Sequence, residues 1–261
     1  MKTRMITAFV VAAVLAYGCG GNAGSTKQEE KSGDGTSTDS STNTNNSSST
    51  NAPTVALPEE LTHDGAKALG APFADAIVYK LTGFPGGDQE TTRKIVVEKN
   101  DKGEYELKCS WTGTLEAYGE EIYQVTNEGL METRALGQEV KPAFLYLPAK
   151  FEPGKAWASK YSLDNAQDLG SVTITQNSKI GPNEKVTTPL GSYDAAVLIE
   201  NTTLKGELVT GKTESKTWFA PGVGVVKATF SSSGTRIDAQ KKKQTYASSF
   251  SFEAVRKTGG G

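Results

Sequence analysis

The chain has 261 residues, of which 36% are hydrophobic and 22% charged, and its formal net charge is −2. So even a balance gives no basic face for nucleic acid, and two cysteines with one histidine exclude zinc sites built from several such ligands. The lone His63 also leaves Ser-His-Asp and Cys-His chemistry only one residue to draw on, at the very edge of the folded region.

The N-terminus reads as a leader. Lys2 and Arg4 precede an apolar run from Ile6 to Ala16 that only Thr7 interrupts. That run is shorter than the ~20 residues of a spanning helix and suits a signal-peptide core, so residues 1–18 are expected to be a signal peptide. Leu15-Ala16-Tyr17-Gly18-Cys19 resembles a bacterial lipobox, although its leucine stands one place early. The alternative is ordinary secretory cleavage at the small-x-small site Ala16-x-Gly18. From Gly20 to Thr54 there is no Val, Ile, Leu, Met or aromatic residue. Such a segment buries too little apolar surface to offset its ordering entropy. Residues 19–57 are therefore expected to be a lipidated N-terminus, acylated at Cys19, followed by a disordered Ser/Thr/Asn-rich tether. Gly20 and Gly21 after the cysteine resemble enterobacterial sorting to the outer membrane.

Residues 58–261 are expected to be a single β-domain. A short helix is expected within 58–70, with Pro58 at its start and Gly65 weakening it. Beyond it, period-two alternation predicts strands at 77–81, 93–98, 104–115, 122–126, 130–135, 143–147, 155–161, 172–176, 185–188, 193–204, 207–219, 223–230 and 246–255. Gly/Pro/Asn/Asp turns divide them, as in an antiparallel sandwich or barrel. In the third strand Cys109 shares a parity with Tyr105, Leu107 and Trp111, which predicts a buried, structural thiol.

Three local patterns have bland explanations. Gly206-Glu207-Leu208-Val209-Thr210-Gly211-Lys212-Thr213 matches the phosphate-loop pattern letter for letter. No room remains for the helix that such a loop requires, so a β-hairpin turning near 210–212 is expected and no nucleotide partner. Asp164-Asn165-Ala166-Gln167-Asp168 lacks EF-hand spacing and reads as a solvated turn or a single helical turn. Lys241-Lys242-Lys243 reads as a hairpin tip.

The stretch Thr217–Phe230 predicts two strands joined at Ala220-Pro221-Gly222, where Pro presets φ and Gly supplies a positive φ. Gly224 implies either a bulge or a bulky neighbour, the latter most simply Trp218 or Phe219. Trp157, Tyr193 and Trp218 each stand beside a tight turn, and with Phe219 they are the candidate apolar-ligand or core contacts.

Three blocks, Leu147-Pro148…Pro153-Gly154-Lys155-Ala156-Trp157, Val186–Ala195 and Trp218–Lys227, resemble a group of secreted bacterial β-domains of unknown function that includes those labelled TapB-like. The resemblance implies a curved antiparallel sheet, half-barrel or sandwich, related in shape to periplasmic lipoprotein carriers, and no catalytic residues. The expectation is a lipoprotein anchored in the outer membrane, acting as a non-enzymatic binding or scaffolding module for an envelope protein. The alternative is a carrier with an acyl chain or other apolar ligand in the concave face of the sheet. Neither reading asks for a cofactor or a metal.

Overall fold

A computed structural model of the chain describes residues 55–71, 76–84, 86–164, 166, 169–238 and 240–258. The expected signal peptide, Cys19 and most of the tether lie outside these residues, as does part of the acidic stretch after Asp164.

The described chain is almost entirely β, as the alternation predicts. Its strands are β1 (Ala76–Thr82), β2 (Gln89–Lys99), β3 (Tyr105–Gly113), β4 (Glu121–Thr126), β5 (Gly129–Ala135), β6 (Gln138–Pro148) and β7 (Ala156–Leu163). They continue as β8 (Val172–Ile180), β9 (Glu184–Thr188), β10 (Gly191–Gly206), β11 (Val209–Ala220), β12 (Gly224–Ile237) and β13 (Lys243–Thr258). Neighbours in sequence pair antiparallel from β1 to β8, β8 pairs with β10, β10 to β13 follow in order, and β13 returns to β1. The curved sheet thus closes into a barrel of twelve strands, leaving β9 outside the ring. Closure satisfies the backbone groups that an open edge would expose. β9 continues the line of β8 along the same flank of β10, after an interruption at Gly181-Pro182-Asn183. Pro182 has no N–H to give a ladder.

One end of the barrel is plugged by a 3-10 turn (Glu59–Leu61) and a single helix, α1 (Asp64–Leu69). His63 caps α1: its Nδ1 accepts from the Ala66 N–H at 3.1 Å, which leaves Nε2–H to donate to the Thr126 carbonyl at 3.0 Å. Asp64 clamps the chain after β6, its N–H on the Ala149 carbonyl and its carboxylate on the Phe151 N–H. Ala66, Leu69 and Ala71 are buried, with Phe219 and Phe151 forming an edge-to-face pair beside them at the base.

The turn between β11 and β12 has the expected form, with the Val223 N–H on the Ala220 carbonyl and Gly222 at φ +75°. The neighbour of Gly224 is different from the one expected. An added Cβ there would stand 3.1 Å from the Leu69 carbonyl, so the glycine admits the end of α1 rather than the ring of Trp218 or Phe219. The hairpin of the phosphate-loop match also turns earlier than expected. Lys205 pairs with Thr210, so the turn is Glu207-Leu208, and 210–212 lie within β11.

β12 runs on to Ile237, through Ser231-Ser232-Ser233-Gly234, which the alternation alone reads as the end of a strand. Its inward places there suit small groups. Gln176, Thr202, Thr213, Ser232 and Ser248 stand in one row across β8 and β10–β13, all buried, and the Thr213 and Ser232 hydroxyls are 2.6 Å apart. One row further, the Tyr246 ring lies over Gly211 and Gly234, where a Cβ would collide with its hydroxyl. That close approach, rather than a phosphate, accounts for Gly211.

Candidate binding site in the barrel lumen

The inward parity of the strands does not stay apolar. At mid-height the lumen receives Arg93 from β2, Glu121 and Tyr123 from β4, Glu132 from β5, Tyr146 from β6, Tyr161 from β7, Gln176 from β8 and Glu200 from β10. Trp111, Phe230 and Phe252 complete the wall around a cavity of about 70 Å³. Arg93, Glu121 and Glu132 are only 6%, 5% and 7% exposed. Burying such groups costs several kcal/mol per ion unless partners compensate, so their partners decide what the site can do.

Arg93 is well provided for. Its Nε donates to Cys109 Sγ at 2.8 Å and its guanidinium lies 5.4 Å from the centre of the Trp111 ring. Glu121, opposite Cys109 across β3–β4, adds the countercharge. The Glu121 carboxyl also accepts from the Tyr123 hydroxyl at 3.2 Å. Cys109 itself is fully buried, as parity predicts, and burial pushes its thiol well up despite the arginine. The guanidinium beside it is the electropositive neighbour of a reactive thiol, but the accessibility that reactivity also needs is missing.

The other side of the lumen is less balanced. Glu200 accepts from Gln176 Nε2 at 2.6 Å, Ser178 at 3.3 Å and Ser215 at 3.2 Å, while burial raises it to about 7. Glu132 has no hydrogen-bond partner among the described residues. Burial, then the carboxyls of Glu121 and Glu200, hold its carboxyl well above the usual range. Among the described residues no opposite charge offsets them. Tyr161 is 7% exposed, stacks on Phe144 at 4.1 Å, and likewise has no hydrogen bond among the described residues.

The residues singled out from sequence do not gather here. Trp157 is half-buried in β7 and donates its indole N–H to the Leu145 carbonyl of β6 at 2.9 Å. Trp218 is half-buried, flanked by Lys216 and Lys227, with its N–H on Glu184 Oε2 of β9 at 2.9 Å. Tyr193 folds its hydroxyl over Gly191, and Phe219 is 1% exposed in the base. The lumen acids escaped notice because strand reading favours apolar residues. The signal was present nonetheless: Glu132 shares a parity with Leu130, and Glu200 with Leu198 and Leu204.

Among the described residues no cluster of His, Cys, Asp and Glu suits a metal ion. No described helix is long and apolar enough to cross a membrane. Two solved structures show a partial likeness to the chain. One is a protein described as exported, with a YmcC-like fold, from Bacteroides fragilis: 13% identity, TM-score 0.44, covering 71% of this chain and 96% of that one. The other is described as a lipoprotein, from Parabacteroides distasonis: 14% identity, TM-score 0.45, covering 71% and 95%. No curated protein matches the chain. The family model described as DUF3108-like matches residues 94–237, a span that includes the three sequence blocks; the narrower TapB-like label is not what it shows. With more than half of its length matched, the chain belongs to the DUF3108-like family.

Proposed function

We propose that the protein is an exported lipoprotein of the bacterial cell envelope, held to the outer membrane through Cys19, whose barrel is a non-enzymatic binding module. The leader, the cysteine and the tether support the anchoring. The observation that carries the binding-module reading is the lumen, narrow, set with ionisable side chains and plugged at one end by α1. A carrier of acyl chains needs an unfilled apolar cavity, and pockets that enclose drug-sized ligands run to ~300–1,000 Å³. About 70 Å³ bordered by Arg93, Glu121, Glu132 and Glu200 suits neither the volume nor the chemistry of an acyl chain.

The two halves of the proposal have separate tests. Cys19→Ser should release the protein from membranes and abolish palmitate labelling, since stable anchoring takes about two acyl chains. A wild-type protein that is soluble and unlabelled would refute the anchor. Adding oleate or phospholipid should leave the melting curve unchanged. A lipid-dependent rise in melting temperature, the mass-action signature of a ligand bound to the native state, would turn the reading to the carrier.

A further inference from the structure

We propose that the barrel lumen binds a small organic cation, a primary ammonium group carried on only a few heavy atoms, between the carboxyls of Glu132 and Glu200. This rests on reading the barrel as a binding module and names the chemistry of what it binds.

The charges around the cavity set the sign of the ligand. Three glutamates and one arginine border the same cavity, and the arginine is already engaged by Cys109, Trp111 and Glu121. An anion would have to compete with those contacts and approach three acids. A cation meets Glu132, which is 7% exposed and without a hydrogen-bond partner among the described residues, and Glu200, whose only charge-favouring contacts are neutral donors. A carboxyl on the wall of a low-dielectric cavity without a protein partner is costly, and an ammonium ion supplies both the donor and the countercharge.

The walls point the same way. Tyr123, Tyr146, Tyr161, Trp111, Phe230 and Phe252 border the cavity, and aromatic faces attract a desolvated cation through their quadrupoles. Tyr161 borders the cavity, makes no hydrogen bond among the described residues, and brings a hydroxyl that accepts as readily as it donates. Size narrows the choice further. A single water needs only about 10–15 Å³ of such space, so a cavity of about 70 Å³ admits an amine of a few heavy atoms, with methylammonium well within it.

Cation entry would restore charge to carboxyls that burial holds neutral or half-neutral, so binding should release protons near neutrality and strengthen as pH rises from 6 to 8. The titratable and charged groups facing the site are Glu121, Glu132, Glu200, Arg93, Tyr123, Tyr146 and Tyr161. Of these, Glu132 and Glu200 are acids whose burial raises them, and the direction of the pH effect is theirs.

The experiment uses the full chain with methylammonium chloride as probe, against sodium chloride at equal ionic strength. Methylammonium should raise the melting temperature at pH 8, shift the ring resonances of Tyr123 and Tyr161, and lose at least tenfold in apparent affinity at pH 6. Glu132→Gln, similar in shape, should abolish the response. If that variant does not fold, Glu200→Gln reads the same question. A wild type that responds equally to sodium and methylammonium, or a folded Glu132→Gln that keeps the response, overturns the proposal. Release of Cys19→Ser from membranes is indifferent to the lumen, so the anchored-module reading stands or falls separately.

Discussion

Two sectors of the barrel are held together by different means. From β10 to β13 the backbone does the holding: paired residues run from Ala196 to Lys205 between β10 and β11, along nearly all of β11 and β12, and from Lys227 to Ile237 between β12 and β13. Between β6 and β7 a single pair, Lys141 and Ser162, joins the strands. Pro142 stands next to that pair in β6 and has no N–H to extend it. Side chains close this seam instead, through Trp157 on the Leu145 carbonyl, Phe144 stacked on Tyr161, and an exposed Lys141–Asp164 pair at 2.8 Å. Where the ladder is complete, its inward row can be Thr, Ser and Gly. Where it is broken, aromatic rings carry the contact.

The two tryptophans offer the sharpest way to break this contrast, because each is half-buried and each donates its N–H. Trp157→Ala should cost about 2–4 kcal/mol, below the upper end for a fully buried aromatic but with an orphaned carbonyl added. Trp218→Ala, on the outside of a complete ladder, should cost only about 1–2 kcal/mol, as its ring spans Lys216 and Lys227 and its bond goes to Glu184 at the surface. For a domain of this size each kcal/mol moves the melting temperature by roughly 2–4 °C. Amide exchange should quicken at 143–147 and 156–159 in the first variant while β10–β13 stay protected. Equal losses in the two variants would mean that the seam needs no side-chain closure.

The contrast also explains what could be read in advance. Strands and turns were legible because alternation and turn chemistry are local: Pro221-Gly222 makes its turn with no help from elsewhere. The extension of β12 through Ser231–Gly234 was not, because it depends on partners in β11 and β13, such as Glu214 for Ser231 and Tyr246 for Gly234, that no local pattern names. The same holds for Gly224, whose neighbour is the end of α1. The lumen was half legible. Parity placed Cys109 inside correctly, and applied to Glu121, Glu132 and Glu200 it places them inside as well. What it cannot give is their convergence from three strands onto one cavity.

The polar lumen should show in the pH dependence of stability. Glu200 is raised to about 7 by burial, whereas an unfolded glutamate titrates near 4.3. Between these values the native state binds the more protons, so stability should fall as pH rises from about 4.5 to 7, and Glu132 adds to the same slope. His63 works in the opposite direction: burial lowers it, so it loses stability as pH falls through its unfolded value of about 6.5. The wild-type profile therefore mixes both, and Glu200→Gln isolates the acid. That variant should melt higher than wild type at pH 8 and lose the advantage by pH 5. An unchanged slope between pH 5 and 8 would show that Glu200 is solvated rather than buried in the lumen.

A smaller effect should come from the ladder side. Tyr246 is 6% exposed, and its hydroxyl is buried without a partner above Gly211 and Gly234. Leaving a buried hydroxyl unpaired costs about 1–3 kcal/mol, so Tyr246→Phe should be neutral or stabilise by about 1 kcal/mol in chemical denaturation. A clear loss would mean that the hydroxyl is satisfied in solution.

Lys212→Ala should change least. In a true phosphate loop this lysine would reach the β- and γ-phosphates, and its loss would abolish nucleotide binding. Here it is exposed on the outer face of β11, opposite Ser233 in β12 and Thr203 in β10, with the strand continuing unbroken on both sides. Among the described residues no helix follows it, and the adjacent Gly211 gives its room to the Tyr246 ring. The substitution should therefore stay within about 0.5 kcal/mol of wild type, the usual range for an exposed position away from caps and networks. Equilibrium dialysis with ATP should show no binding in either protein. Micromolar binding that Lys212→Ala removes would contradict the strand through residues 209–220 and, with it, the closed ladder on which the contrast between the two sectors depends.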